Sequence, residues 1–371
     1  MKTIKYFSLA AALLLPAALL SAQTADQKTA PAVKKAPAKA AAKAPAKPAA
    51  KTPAAPAPKA AAKPAKEEPA KAAVKAPAEP AQPVIAPFDE AMAKLASTDP
   101  LQRRQGAEAL ARLRDPRGVQ PLLKRLSDAE PAVRAAAVDA LCQLTSREAT
   151  PKITELLLKD PDAAVRQQAA GSLSFMMDPA AGPALLKAMK DKELAVRYAA
   201  VNTLGAMRYE PSEGAMISAL SDDKMRRIAI SVLGLLQSKK AAVDIAPYLA
   251  DADKFTRLEA IKALGSIGDA AAAGKMKELL APAEDAAVRV EAALALARLG
   301  LNDGLLTAYE FAKVPDMSLK SKALETLNLV GDARTLQYLD DAVATEKDPA
   351  SKNMFNFARQ RLAAKLRTKA N

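Results

Sequence analysis

The chain has no histidine among its 371 residues. That absence removes the usual general base, the imidazole metal ligand and every Ser-His or Cys-His nucleophilic pair. Two acid pairs remain, Asp222-Asp223 and Asp340-Asp341, whose carboxylates could exchange protons or hold a hard cation. Both pairs are expected at helix boundaries, where an aspartate oxygen caps free N–H groups, and capping is the reading preferred here. The single cysteine, Cys142, follows Leu141 on an apolar helix face and reads as core rather than as a reactive thiol. No glycine-rich phosphate loop follows a strand, and no cysteine pair has zinc spacing. The expectation is therefore a chain with no catalytic, cofactor or metal residues.

What recurs is an Asp followed six residues later by an Arg: Asp128 and Arg134, Asp160 and Arg166, Asp191 and Arg197, Asp251 and Arg257. Each of these arginines precedes a Leu by seven residues, and so do Arg103, Arg226, Arg289 and Lys320. The eight positions follow one another at spacings of 31, 32, 31, 29, 31, 32 and 31, which defines eight units. Charge-assisted bonding across the turn at a helix start suits this spacing better than display to solvent.

The elements that must hold these residues follow from the apolar pattern. Val165, Ala169 and Leu173 lie four apart and form one face of a first helix, widened by Ala170. Asp160-Pro161 supplies an N-cap oxygen and a proline suited to the first turn. A second amphipathic segment follows in each unit, for example Val119, Leu122, Leu123 and Leu126, or Leu185, Leu186 and Met189. Two short helices cannot bury their apolar faces alone, so the units must stack. The fold class predicted is all-α, a right-handed α-α superhelix of about eight repeats spanning 87–371. Phe88, Met92 and Leu95 mark a lone second-type helix closing the start. Pro349 to Lys369 marks a final helix, with Met354, Phe355, Phe357, Ala358 and Leu362 inward and Arg359, Arg361, Lys365 and Arg367 outward.

The pattern resembles the HEAT-like repeat family, in the short form named after phycobilisome lyases, through Asp-x-x-x-x-Val-Arg-x-x-Ala-x-x-Ala-Leu. Asp128 to Leu141, Asp160 to Leu173 and Asp191 to Leu204 carry it almost complete. Met225-Arg226, Thr256-Arg257 and Lys320 depart from it. The resemblance implies a structural ladder tying one repeat to the next, in which Asp128, Asp160, Asp191 and Asp251 pair with Arg134, Arg166, Arg197 and Arg257, with Arg226 and Arg289 in the same slots. It also offers bilin lyase-like activity as the one remote enzymatic alternative, against which stand the exported N-terminus and the lack of any bilin-pocket motif. The deoxyhypusine hydroxylase branch binds iron through His-Glu motifs, and no histidine is present here to carry them.

The N-terminus opens with Lys2 and Lys5, an apolar run from Phe7 to Leu20, then Ser21 and Ala22, the layout of a secretory signal over 1–22. From 23 to 86 the chain is almost wholly Ala, Lys and Pro. Proline interrupts any alanine helix and no apolar face offsets the entropy of ordering, so a disordered tether is expected. That segment holds 12 Lys against 4 acids, which is +8 of the net +14; the first 22 residues add +2, leaving +4 for the remainder. The basicity of the chain is thus a property of its tail, and nucleic acid is not expected as a partner. A weak contact of the tail with anionic envelope material is the alternative to a plain spacer.

The localisation expected is exported, periplasmic or secreted, in a bacterium, with no transmembrane span in the mature chain. The function expected is a non-enzymatic scaffold that holds a protein or peptide partner in the concave groove of its second helices. The candidate contact residues are Lys124, Lys152, Glu155, Lys159, Lys187 and Lys190. The alternative is an envelope-associated structural element anchored by its tail. Met176, Met177, Met207, Tyr209, Met216 and Met225 form a methionine-rich middle, read as core in preference to an adaptable patch.

Overall fold

The computed structural model describes residues 86–370. The signal-like segment 1–22 and the tether 23–86, save Ala86, lie outside the described residues. Among the described residues every regular element is helical.

First helices of successive units are α2 (Pro100–Leu113), α4 (Pro131–Gln143), α6 (Ala163–Met176), α8 (Leu194–Ala206), α10 (Arg226–Leu235), α12 (Lys254–Ile267), α14 (Ala286–Arg298) and α16 (Met317–Val330). Second helices are α3 (Val119–Arg125), α5 (Thr150–Lys159), α7 (Gly182–Ala188), α9 (Glu213–Ala219), α11 (Ala242–Ile245), α13 (Ala273–Glu278), α15 (Leu305–Phe311) and α17 (Ala333–Thr345). Helices α1 (Pro87–Leu95) and α18 (Pro349–Ala370) close the two ends. Each first helix packs on the next, and second helices pack on the first helix that follows them.

Alanine and glycine set how closely the first helices approach. A Cβ at Gly234 would come within 2.8 Å of the Ala263 Cα, and one at Gly106 within 2.4 Å of the Leu95 backbone nitrogen. The first helices end in a left-handed residue at Arg114, Thr145, Met177, Arg208, Gln237, Gly268 and Gly300, with φ between 47° and 79°. After it the chain bonds back to the helix, as from the Ser146 N–H to the Leu141 carbonyl, which satisfies carbonyls at the helix end.

Two helix starts differ from the sequence reading. The N-cap of α6 is Asp162, whose oxygen accepts the Ala164 and Val165 N–H groups, while Asp160 stands before it and serves the ladder. Asp340-Asp341 lies inside α17, where a carboxylate cannot cap an N-terminus. Asp341 accepts from the Gln337 side chain, and Asp340 pairs with Arg359 at 3.3 Å.

The core has two parts. One runs from Ala91 to Leu296; the other gathers Val290, Phe311, Leu324, Leu327, Leu339, Phe355, Ala358 and Leu362. They meet on α14, which is buried on nearly its whole circumference from Val290 to Ala297. In α18 the buried residues are Phe355, Ala358 and Leu362, whereas Phe357 is 62% exposed. The inward set therefore lacks Phe357, because Phe355 and Phe357 stand about 200° apart on a helix and cannot both enter the core.

Candidate functional site

The repeated arginines sit at the fourth position of their helices, after the turn that brings each second helix to the next unit, except Arg226, which opens α10. Arg134 shows the full arrangement. Its Nη1 donates to the Asp128 and Ala129 carbonyls at 2.9 and 3.1 Å, six and five residues back in its own unit. Its Nε and Nη2 each donate at 2.8 Å to the two oxygens of Asp160, in the following unit. Arg103 grips Asp128 and Arg166 grips Asp191 in the same bidentate way. The aspartates also accept an N–H two residues on, Glu130 for Asp128, Asp162 for Asp160 and Glu193 for Asp191.

The ladder thus ties neighbouring units, but its register differs from the pairing within one repeat. The six-residue partner contributes its main-chain carbonyl, and the carboxylate comes from 25 or 26 residues ahead. Geometry decides this: an Asp side chain already folded onto its own turn points toward the preceding unit, leaving only its carbonyl to the Arg that follows.

Beyond the third rung the pattern changes. Asp222 stands 25 residues after Arg197, in the slot of the earlier carboxylates, and its oxygen accepts the Lys224 N–H. Arg197 nevertheless bonds only the Asp191 and Lys192 carbonyls, and its buried Nε has no partner. Only four residues separate Asp222 from Arg226, where six separate Asp from Arg elsewhere. That shortened turn draws the start of α10 back, and α8 and α10 touch over less of their length than other successive first helices. Later rungs improvise. Arg226 pairs with Asp223 at 2.5 Å and approaches Asp251 at 4.0 Å. Arg257 takes Glu284 at 2.9 Å with the Asp251 carbonyl, and Arg289 takes both oxygens of Glu310. Lys320, 3% exposed, donates to the Ser351 hydroxyl.

Burial pushes the carboxyls of Asp128, Asp160 and Asp191 up; the guanidinium of the previous unit, the local N–H and the surrounding positive field outweigh it, so all three sit below the ordinary aspartate value. Burial pushes the Cys142 thiol well above its ordinary value, and its sulfur lies 3.4 Å from that of Met176. A thiol so held is protonated and poorly nucleophilic. Met216 and Met225 are buried like Met176, while Met177 is half exposed. Among the described residues no cluster of His, Cys, Asp or Glu could hold a metal ion, and no helix is long and apolar enough to cross a membrane.

The second helices present the other candidates. Lys124 on α3, Lys152, Glu155 and Lys159 on α5, and Lys187 and Lys190 on and after α7 are all exposed. Lys159 pairs with Glu155 at 3.4 Å. Among the described residues Lys124, Lys152, Lys187 and Lys190 have no carboxylate partner. A cavity of about 500 Å³ opens between the ends of α3 and α5, lined by Leu126, Leu156 and Pro161, by Lys152, Glu155 and Lys159, and by the ladder residues Asp128, Arg134 and Asp160.

The model of HEAT repeats matches residues 54–283 in five overlapping stretches, 54–141, 88–174, 119–205, 150–221 and 213–283. The chain belongs to the HEAT repeat family. The first stretch begins inside the Ala/Lys/Pro-rich segment and the last ends at α13, before the second core. Solved structures similar to this HEAT repeat chain include the complex of CpcE and CpcF of phycocyanin lyase from Nostoc sp. PCC7120, at 24% identity and TM-score 0.39 over 70% of this chain and 98% of that one. An engineered protein is similar at 19% identity and TM-score 0.44, over 75% of this chain and 89% of that one. Human deoxyhypusine hydroxylase in complex with glycerol is similar at 20% identity and TM-score 0.30, over 66% and 96%. No curated protein matches the chain.

Proposed function

We propose that this HEAT repeat protein is a non-enzymatic scaffold outside the cytoplasm that holds a protein or peptide partner along a concave groove lined by its second helices. The observation that carries the reading is the contrast between its two sets of charges. The ladder arginines are consumed by main-chain carbonyls and carboxylates, so they serve the stack, while Lys124, Lys152, Lys187 and Lys190 are exposed with no carboxylate partner among the described residues, and Lys152 lines a cavity. Stacked repeats offer an extended surface of this kind for binding. The absence of histidine supports a non-enzymatic role. The leader-like layout of 1–22 supports export.

A second reading, an envelope-associated element held by its tail, is favoured by the +8 charge of 23–86. Capture from envelope extract, with Pro87–Asn371 and with 23–86 as separate baits, decides between them. Specific partners on the Pro87–Asn371 bait support the scaffold; partners on the tail bait alone refute it. Detection of the chain in a cytoplasmic fraction, with its first 22 residues retained, would refute export.

A further inference from the structure

From the unpaired lysines of the first three second helices we infer that the partner presents an extended acidic peptide, seated across α3, α5 and α7 with its carboxylates on Lys124, Lys152, Lys187 and Lys190. The inference rests on the second-helix face being the partner-binding face. The two lysines of α13 are neutralised, Lys275 by Glu278 at 2.7 Å and Lys277 by Asp303 at 2.8 Å. In units one to three the same kind of residue is exposed and unneutralised, and the nearest acid of the row, Glu155, is held by Lys159. A row of like charges repels itself, and an anionic occupant relieves that repulsion.

The chemistry of the row favours carboxylates over phosphates. The ladder arginines Arg103, Arg134 and Arg166 already bind both oxygens of an aspartate, so none of these three forks is free for a phosphate. No aromatic ring stands among the four lysines for a base to stack on. Glu155 interrupts the positive run, which a continuous phosphate backbone would meet unfavourably. The cavity of about 500 Å³ beside Lys152 is lined by Leu126, Leu156 and Pro161 together with the ladder residues Asp128, Arg134 and Asp160, and has room for an apolar side chain of a peptide. Helices of adjacent units lie about 8–10 Å apart and an extended peptide advances about 3.3 Å per residue. The acids should therefore recur about every third residue, with an apolar residue between two of them.

The test uses the full chain and a fluorescein-labelled synthetic peptide of about 12 residues, with Glu at every third position and one central Leu. Amide hydrogen exchange with and without the peptide should show protection in 119–125, 150–159 and 182–190. Lys152→Glu with Lys187→Glu should weaken binding by at least about tenfold, and by less at high salt. Lys239→Glu with Lys240→Glu, an equal charge change at exposed lysines of the fifth unit, should leave it within about twofold. Should the reversed variant melt early, Lys152→Ala with Lys187→Ala replaces it, with the same direction expected. Protection confined to 23–86, equal effects of the two double variants, or tighter binding of a single-stranded RNA oligomer or of phosphatidylglycerol vesicles would each overturn the inference. Undiminished capture of an envelope partner by Lys152→Glu with Lys187→Glu would also overturn it while leaving the scaffold reading intact.

Discussion

Arg166 is only 4% exposed, and four of its donor contacts go to Asp160, Pro161 and Asp191, so truncating it strands a partly buried carboxylate and two carbonyls. Arg166→Ala should lower stability by about 2–4 kcal/mol in urea unfolding. Arg197→Ala, which removes two carbonyl contacts and no carboxylate, should lower it by about 1–2 kcal/mol. Equal losses would show that the carboxylates contribute nothing. The same carboxylates set the acid response. Their folded values lie below that of an unfolded aspartate, about 3.9, so their contribution is present above that pH and drains away as pH falls through the folded values. Stability should hold between pH 7 and 5 and fall below about pH 4, with a shallower fall in Asp160→Asn. The pairing that produces this was only half legible in the sequence. The seven-residue step to a Leu located every arginine and the six-residue spacing the aspartates of four units, but that spacing suited a carbonyl and a carboxylate equally well. Only the turn geometry, which aims Asp160 backward at Arg134, chooses between them.

At the scale of the element, the first helices were readable because their alanine, valine and leucine faces repeat with helical period and are capped by Asp at their starts. Their ends were not. Five of the seven left-handed end residues carry side chains, so no glycine announces the turn. Thr145 is the costliest of these, a β-branched residue at φ 52°. Thr145→Gly should stabilise the chain by about 1 kcal/mol, since a left-handed residue with a Cβ carries a penalty of about 1–2 kcal/mol. An unchanged midpoint in thermal or urea unfolding would show that tertiary contacts of the threonine compensate. Asp340-Asp341 and Phe357 misled for a related reason. Local pattern suggests a cap or an apolar stripe, but which turn of a helix faces its neighbours is fixed by the helices packed against it.

Across the whole molecule, stability in a stack of repeats is close to a sum of unit and neighbour-interface contributions. The division of the core at α14 should therefore show in exchange kinetics. Phe355→Ala, deep in the second part of the core, should speed amide exchange throughout 305–370 while leaving 100–206 at wild-type rates. Uniform acceleration would mean that the two parts unfold as one. The missing rung at Arg197 has a mechanical meaning as well. In a row of springs under load, extension gathers at the softest member, and here that member lies between the fourth and fifth units, where a two-residue shortfall leaves a guanidinium without its carboxylate. Bending and stretch should concentrate at this joint, letting the first four units and the last four tilt against each other. Inserting two residues between Asp222 and Arg226 would restore the six-residue interval, close the rung and stiffen the spring. Single-molecule stretching should then record a steeper force response before the first unfolding event.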